Sequence, residues 1–224
     1  MMSKKSRWLF CVVGGLWLAA HARADVIAVG AAAFPAGTTV LNFASLVDGT
    51  EVNGLTLSGV QFVYAIGGSP RNGAVRIDQG PGTTNHITVP NILSVGDNTG
   101  VLSVNLPSFV NLFGYGFAIF SEEDVADATR ISAFNGTTPV GSLSFPGTLD
   151  PFFTGGFAGI QSTTAFDRLE LTFNSSVAPA FALDNLIFAS TIPEPSSLFL
   201  AVLGFGVVTA LLCKRGRTQA GKVS

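Results

Sequence analysis

The sequence predicts an all-β body, an antiparallel β-sandwich, between two terminal segments of different character. Short alternating or apolar runs recur through residues 25–191, and Gly, Asn, Pro and Asp interrupt them at the spacing of antiparallel strands. No window of this body keeps a 3.6-residue apolar period for three turns, so no long helix is expected. Ten or eleven short strands in one domain indicate two packed sheets.

Eleven segments are predicted as strands because each one alternates or is continuously apolar between turn residues. In the N-terminal half they are 38–43, 59–64, 73–77, 86–90 and 101–106. In the C-terminal half they are 112–120, 128–134, 140–145, 156–160, 166–173 and 181–188. The 167 residues of the body are enough for one domain with a sizeable core.

Residues 1–24 have the features of a secretory signal peptide. Three positive charges in the first seven residues precede an apolar run, 8–20, that is shorter than the ~20 residues of a usual spanning helix. Ala22 and Ala24 then form the small-x-small pattern that signal peptidase accepts. We expect signal peptidase to cut after Ala24, so that the mature chain is exported.

The C-terminal end predicts a single transmembrane helix over about 197–213. Its uncharged core of 16 residues would measure about 24 Å as a helix, close to the ~30 Å thickness of a hydrocarbon core. Lys214, Arg215 and Arg217 follow at once, and basic residues hold such an end on the cytoplasmic side. The expected orientation therefore places the body outside and the C-terminus inside.

The tripeptide Pro193, Glu194 and Pro195 stands immediately before this helix. Its prolines fix φ and lack N–H donors, and Ile192 is biased to an extended conformation by the proline that follows it. An extended, unpaired peptide at a membrane surface is suited to recognition by a membrane protease. In the order and spacing of its parts, the segment 192–217 resembles the PEP-CTERM sorting signal.

The resemblance to the PEP-CTERM family implies sorting and not an activity. In exopolysaccharide-producing Gram-negative bacteria, the membrane enzyme exosortase recognises and processes such tails. Exosortase is thus an implied partner, with transient residence in the inner membrane and a final place at the outer cell surface or in the extracellular matrix. Residues 218–224 continue past the basic end, 214–217, and are expected to be a cytoplasmic tail. A permanent membrane anchor is the alternative.

The two ends of the body resemble a β-sandwich module of PEP-CTERM and related exported proteins. Residues 41–62 have its aromatic residue, Gly-Thr-x-Val, turn and Gly-Val-x-Phe, and residues 155–173 with 181–188 have its Gly-Ile and closing Asp-Asn strand. The resemblance implies a jelly-roll-like sandwich similar to carbohydrate-binding modules, in which the first and last strands pair.

The charge of the body limits its partners. It holds four arginines, no lysine and 13 of the 14 acidic residues of the chain, a formal charge of about −9. Such a balance does not suit binding to nucleic acid or to anionic membranes. Cys11 and Cys213 fall in the terminal segments, so we expect no disulfide in the mature domain.

The body lacks the residue sets of most enzyme mechanisms. His86 is its only histidine and lies in the predicted strand 86–90, so it is expected to be a strand residue and not a general base. There is no cysteine nucleophile, zinc-type cluster, phosphate loop or EF-hand pattern. We predict a non-enzymatic protein. A glycan hydrolase of the matrix, with two carboxylates facing each other across a pocket, is the alternative.

Asp184 is the first candidate metal ligand, because it lies in an otherwise apolar strand and an unpaired buried carboxylate costs several kcal/mol. Calcium-binding sandwich modules often hold a structural ion between their first and last strands. Asp184 is therefore a candidate ligand of a structural Ca²⁺, with Asn185, Asp48 or Glu51 as candidate co-ligands. The favoured alternative is that Asp184 pairs with an arginine such as Arg168 or caps N–H groups of a turn.

A second acidic stretch is expected to be a solvated turn between two strands, with a Ca²⁺ site as the alternative. Its carboxylates are Glu122, Glu123, Asp124 and Asp127.

Aromatic side chains are the candidates for contacts with a glycan. They are Tyr64, Tyr115, Phe152 and Phe153. The last two are adjacent in the loop-like segment 145–156, and neighbours in an extended chain cannot both point inward. We therefore expect one of them to be exposed. The predicted function is that of an exported envelope or matrix protein associated with exopolysaccharide or biofilm; a structural protein without a specific ligand is the alternative.

Overall fold

The computed structural model describes residues 26–80, 86–94, 96 and 98–190. Several predicted features lie outside these residues and stay predictions: the signal peptide 1–24, the motif 193–195, the helix 197–213, the basic end 214–217 and the tail 218–224. In the described part of the chain, no helix is long and apolar enough to cross a membrane.

Twelve strands and one short 3₁₀ helix, Ala31–Ala33, form the described chain. The strands are β1 (Val26–Ala28), β2 (Val40–Leu41), β3 (Thr56–Leu57), β4 (Val60–Ile66), β5 (Ser69–Pro70), β6 (Val75–Asp78), β7 (Asn91–Ser94), β8 (Val101–Ile119), β9 (Val125–Asn135), β10 (Thr138–Leu149), β11 (Thr154–Phe173) and β12 (Phe181–Ala189). The absence of a long helix from these residues agrees with the missing 3.6-residue period.

The strands form an all-β, antiparallel, sandwich-like body. One layer contains β10, β9, the C-terminal half of β11, the N-terminal half of β8, and β4 with the short strands β3 and β5. The other contains the N-terminal half of β11, the C-terminal half of β8, then β12, β7 and β6. Alternating apolar side chains from both layers meet in a shared core.

The strands β8 and β11 are each long enough to run through both layers. They pair with each other from Thr154 opposite Ile119 to Leu171 opposite Leu102, with register shifts around Phe166. The sequence predicted two strands in place of each. That prediction was wrong because residues 107–109, between the two predicted pieces of β8, are exposed and interrupt the apolar alternation. The backbone nevertheless stays extended through this irregularity.

The expected pairing of the first and last predicted strands is confirmed. Leu41 of β2 lies opposite Leu186 of β12, and Val40 lies opposite Ile187. The sequence missed β1, which precedes them and pairs with β11. Three residues are too few to show a period.

The core is rich in aromatic rings. The rings of Phe173 and Phe181 stack at 3.9 Å and 6°, and Tyr115 contacts Phe173 at 6.4 Å. Tyr115 and Tyr64 are both fully buried, so the prediction that they face a glycan is wrong. Both occupy inward positions of strands whose alternate residues are core, and burial raises the pKa of the Tyr115 hydroxyl.

Residues 86–90, here called the strap, were predicted as a strand but lie outside the ladder. The strand β7 begins one residue later, at Asn91. Pro90 cannot donate to a ladder, and the Val89–Pro90 peptide is cis. The strap crosses the outer surface of β8 and β12, where Ile87 packs on Ala118 and Ala182.

Candidate functional site: an aromatic pocket at the β10–β11 hairpin

The tip of the β10–β11 hairpin and the turn after β8 form a pocket with a volume of about 600 Å³. It is lined by Glu122, Leu149, Pro151, Phe152 and Phe153. The structure thus brings together two stretches that the sequence offered separately, the adjacent phenylalanines and the acidic turn.

Three hydrogen bonds, each with at least one backbone group, hold the two walls of this pocket in place. The N–H of Leu149 donates to Asp124 Oδ1 at 2.9 Å, and the N–H of Thr154 donates to the Ser121 carbonyl at 2.8 Å. The Thr154 hydroxyl also donates to the Glu123 carbonyl. The hairpin is therefore fixed against the turn, and the pocket is largely preformed.

The two adjacent phenylalanines have different environments, as expected. Phe153 packs edge-to-face on Phe120, with 4.6 Å between ring centroids and 73° between planes. Phe152 is 72 % exposed. The predicted loop 145–156 is shorter than expected, because β10 extends to Leu149 and β11 begins at Thr154. Phe152 therefore stands at the tip of a tight, paired hairpin.

The acidic stretch is a solvated turn, as expected for its first three members. Glu122, Glu123 and Asp124 are exposed, and Asp127 is exposed within β9. Asp124 contributes to the fold through its bond to the Leu149 N–H. Glu122 lines the pocket and is its one carboxylate among the described lining residues.

The four residues predicted to share a Ca²⁺ do not come together in one group. Asp48 accepts the Gln79 N–H at 3.0 Å, and Glu51 accepts the N–H groups of Asn53 and Gly73 at 3.2 and 2.5 Å. The described residues include no group of three or more His, Cys, Asp or Glu side chains that could hold a metal. A bound Ca²⁺ stays a prediction that this arrangement of carboxylates does not support.

Asp184 instead fastens the strap to β12, as in the alternative reading in which it caps turn N–H groups. Its Oδ2 accepts the Thr88 N–H at 3.2 Å and the Thr88 hydroxyl, and the side chain is fully buried. Burial raises the pKa of Asp184, and the hydrogen bonds from Thr88 offset part of that effect. Asn185, at φ 54°, also donates to Thr88 Oγ1 at 3.4 Å, whereas Arg168 pairs with Glu170.

His86 lies at the start of the strap and not in a strand. Its Nε2 lies 3.5 Å from Asp150 Oδ2, which links the strap to the hairpin that carries Phe152. A second groove of about 340 Å³, mostly apolar, lies beside it over Gly116 and between Phe157 and Ile187. His86 therefore has a structural setting and lacks a neighbouring nucleophile in the groove lining.

The pocket offers apolar surface together with one carboxylate. Phe152 and Leu149 supply apolar surface, and Glu122 supplies hydrogen-bond acceptors at its edge. Glycoside hydrolysis takes two carboxyl groups on opposite sides of the scissile bond, and the lining described here provides one.

No family model and no curated protein matches the chain. Among solved structures, a mutant of the family 29 carbohydrate binding module CBM29-2 is 11 % identical, with 78 % of this chain and 99 % of that chain covered at a TM-score of 0.34. A CBM29-2 mutant complexed with mannohexaose is 10 % identical, covering 64 % and 91 % at 0.35.

The catalytic domain of a GH87 α-1,3-glucanase in complex with tetrasaccharides is also 10 % identical, with a TM-score of 0.35. It is matched over 78 % of this chain, which spans 30 % of that domain. Likenesses this distant determine neither ligand nor activity.

Proposed function

We propose that this protein is an exported, non-enzymatic glycan-binding protein of the cell envelope or extracellular matrix. The observation that carries the proposal is the preformed pocket in which the 72 % exposed ring of Phe152 stands beside the carboxylate of Glu122. Phe152 and the exposed Leu149 line the same pocket, so their apolar surfaces form a patch and not a single exposed side chain. An exposed apolar patch at a fixed hairpin tip is typical of a surface that a ligand covers.

The pocket suits a neutral sugar. A sugar ring has an apolar face of C–H groups, which would lie on the Phe152 ring, and a hydroxylated edge, which would donate to Glu122 Oε atoms. The negative charge of Glu122, within a body of about −9, disfavours a carboxylated sugar at this position.

Export and sorting come from the sequence segments outside the described residues. In this proposal, signal peptidase removes residues 1–24 and exosortase processes the tail at or near Pro193–Pro195 after transient residence in the inner membrane. The acidic, disulfide-free body would then associate with exopolysaccharide or biofilm outside the cell. A permanently anchored form would keep the same pocket at the membrane surface.

The single carboxylate of the pocket lining supports a binding role over hydrolysis. Binding needs only complementary surface, whereas both retaining and inverting mechanisms place two carboxyl groups across the scissile bond. The mature chain is therefore expected to bind a glycan without releasing reducing sugar from it.

Replacing the exposed ring tests this function. In affinity electrophoresis of the mature chain with the producer's exopolysaccharide, a soluble glucan and a mannan, Phe152→Ala should weaken binding about tenfold. Val177→Ala, which truncates another exposed apolar side chain in the β11–β12 connection, is the control and should bind as the unmodified chain does. Equal binding by the Phe152→Ala variant, or no retardation of the unmodified chain by any of these glycans, would contradict the proposal.

A further inference from the structure

The outer face of the first layer carries aligned polar side chains. In its first row, pairing places Thr56, Gln61, Asn105, Arg168 and Phe134 side by side on β3, β4, β8, β11 and β9. At 4.7–4.9 Å between strands, this row is about 19 Å long. The buried neighbours of this row, Phe62, Val104, Leu169 and Ala133, point into the core, so this face is the outward one.

Two further rows lie parallel to the first. The second row contains Val63, Ser103, Glu170, Ser132 and Ser142. The third contains Thr172, Arg130 and Ser144. All these side chains are exposed or half-buried, so the three rows form a hydroxyl-rich and amide-rich sheet surface, here called the outer face.

Contacts within the outer face hold its central residues in fixed positions. The Arg168 guanidinium lies 4.0 Å from the centroid of the Phe134 ring, and its Nε donates to the Gly136 carbonyl at 3.2 Å. The same group pairs with Glu170. Because three contacts already fix the planar guanidinium of Arg168, a ligand that stacks on it would cost little further side-chain entropy.

Arg130 carries a positive charge and forms no ion pair with a described carboxylate. Its Nη2 donates to Ser142 Oγ at 2.5 Å, and the side chain is exposed. Glu170 lies diagonal to Arg130 across β11 and β9, but its carboxylate pairs with Arg168. The Arg130 guanidinium, exposed among hydroxyl groups and without an ion-pair partner, is therefore a local site for an anion.

We propose that the outer face binds an extended polysaccharide whose sugars carry carboxylate groups, and that this site is separate from the aromatic pocket. The Arg130 guanidinium takes a carboxylate through two N–H donors, which is the pairing that its fork geometry favours. The flanking serine, threonine, asparagine and glutamine side chains take the sugar hydroxyls along the rows.

Charge and composition favour this occupant over others. The large exposed hydrophobic residues of the described chain lie elsewhere. Phe134 and Val63 are half-buried apolar members of the rows, and the other members are polar, so the outer face lacks the broad apolar core of a protein interface. The net charge of about −9 opposes every polyanion, so local contacts at Arg130 have to supply the attraction. It opposes a nucleic acid duplex more strongly than a uronate chain, because the duplex carries its phosphates more densely. One guanidinium is enough to hold one carboxylate of an acidic polysaccharide, while neutral side chains bind its hydroxyl groups.

The test measures binding of the mature chain to sodium polygalacturonate, with uncharged dextran as the comparison, by isothermal titration calorimetry at low and at 150 mM salt. Arg130→Ala should weaken binding to polygalacturonate about tenfold, and higher salt should weaken binding of the unmodified chain. The matched control is Arg76→Ala, which removes an exposed arginine from β6 in the other layer. It should bind as the unmodified chain does.

Three outcomes would overturn the inference: no binding of polygalacturonate, equal binding of dextran, or equal weakening by the two arginine variants, which would indicate general charge attraction. Phe152→Ala should leave polygalacturonate binding unchanged. The experiment thus distinguishes a failure of the proposed neutral-glycan pocket at Phe152 from a failure of the outer-face site.

Thermal unfolding of each variant verifies that the fold is intact. Arg130→Lys should bind more tightly than Arg130→Ala, because lysine keeps the positive charge but lacks the two-pronged guanidinium.

Discussion

At the scale of single residues, Asp184 shows how one buried carboxyl group can organise a segment distant in sequence. It is the fully buried acidic side chain of the described chain, and it accepts both hydrogen bonds that Thr88 offers from the strap. Its Oδ1 has no partner within the described structure. A protonated carboxyl group suits such a site better than a carboxylate, because burial penalises the charge.

The raised pKa of Asp184 predicts a pH dependence of stability. Since the folded chain holds this proton more tightly than the unfolded chain, the stabilising contribution is complete below the unfolded pKa of about 3.9. It is lost as the pH rises through the higher folded pKa. Urea unfolding of the mature chain should therefore show a free energy of unfolding that falls as the pH rises, relative to that of the Asp184→Asn variant at the same pH values.

Comparison of Asp184→Ala with Asp184→Asn separates the effect of the hydrogen bonds from that of the charge, because asparagine keeps an acceptor oxygen and does not titrate. The alanine variant removes the acceptor for Thr88 and should lower the free energy of unfolding by about 1–3 kcal/mol, with faster hydrogen exchange at the Thr88 N–H. If Asp184→Asn and the unmodified chain show the same pH profile, the buried carboxyl group does not titrate as described here.

Single residues also show what could be read from the sequence at the pocket. The adjacency of Phe152 and Phe153 predicted that one ring would be exposed, because successive side chains of an extended chain face opposite ways. Tyr64 and Tyr115 were indistinguishable from surface aromatics, because their exposure depends on which strand face meets the core. The separation of Asp48 and Glu51 from Asp184 depends on tertiary pairing in the same way.

At the scale of elements, the strap is held by a close backbone approach at Gly116. An added Cβ on Gly116 would lie 2.2 Å from the His86 carbonyl oxygen, a backbone atom that cannot rotate away. Gly116→Ala should therefore displace the strap and lower the free energy of unfolding by about 1–3 kcal/mol, measured by urea unfolding.

Gly30→Ala is the matched control for that substitution. A Cβ there would meet nothing within 4 Å, and the residue has φ −85°, which alanine adopts freely. It should leave stability close to that of the unmodified chain. Equal stability of the two variants would mean that the strap does not lie on Gly116.

The strands show where periodicity works and where it fails. β9, the N-terminal half of β8 and the C-terminal half of β11 were predictable, since their inward residues alternate with polar ones. β12, the C-terminal half of β8 and the N-terminal half of β11 were predictable as short, mostly apolar runs between turn residues. Joining those halves into two long strands depends on partners far away in sequence, which no local pattern contains. The outer face was missed for the same reason, although its polar alternation at 130–134 and 168–172 was visible in the sequence.

At the scale of the whole molecule, the export and sorting segments predict a defined mature form. The protein recovered from culture supernatant should begin at Asp25 and lack the segment beyond about Pro195, because signal peptidase and exosortase each remove one end. Intact-mass spectrometry of supernatant and membrane fractions, with and without the sorting enzyme, measures this directly. A full-length tail in the cell-surface fraction would contradict processing and make the helix a permanent anchor.

At the scale of the whole molecule, the two proposed sites would place two binding chemistries on one sandwich. The hairpin pocket offers an aromatic ring with one carboxylate, and the outer face offers hydroxyl groups with an arginine that is in no ion pair. Together they would let one exported domain contact neutral and acidic sugars of a matrix.

Titration of the ¹⁵N-labelled mature chain with oligosaccharides from its producer's exopolysaccharide, followed by NMR, tests the glycan pocket most directly. The largest shift changes should fall on residues 120–124 and 149–154, which form the two walls of the pocket. Saturable changes that leave these residues unaffected, or no changes at any glycan concentration, would contradict the proposed pocket.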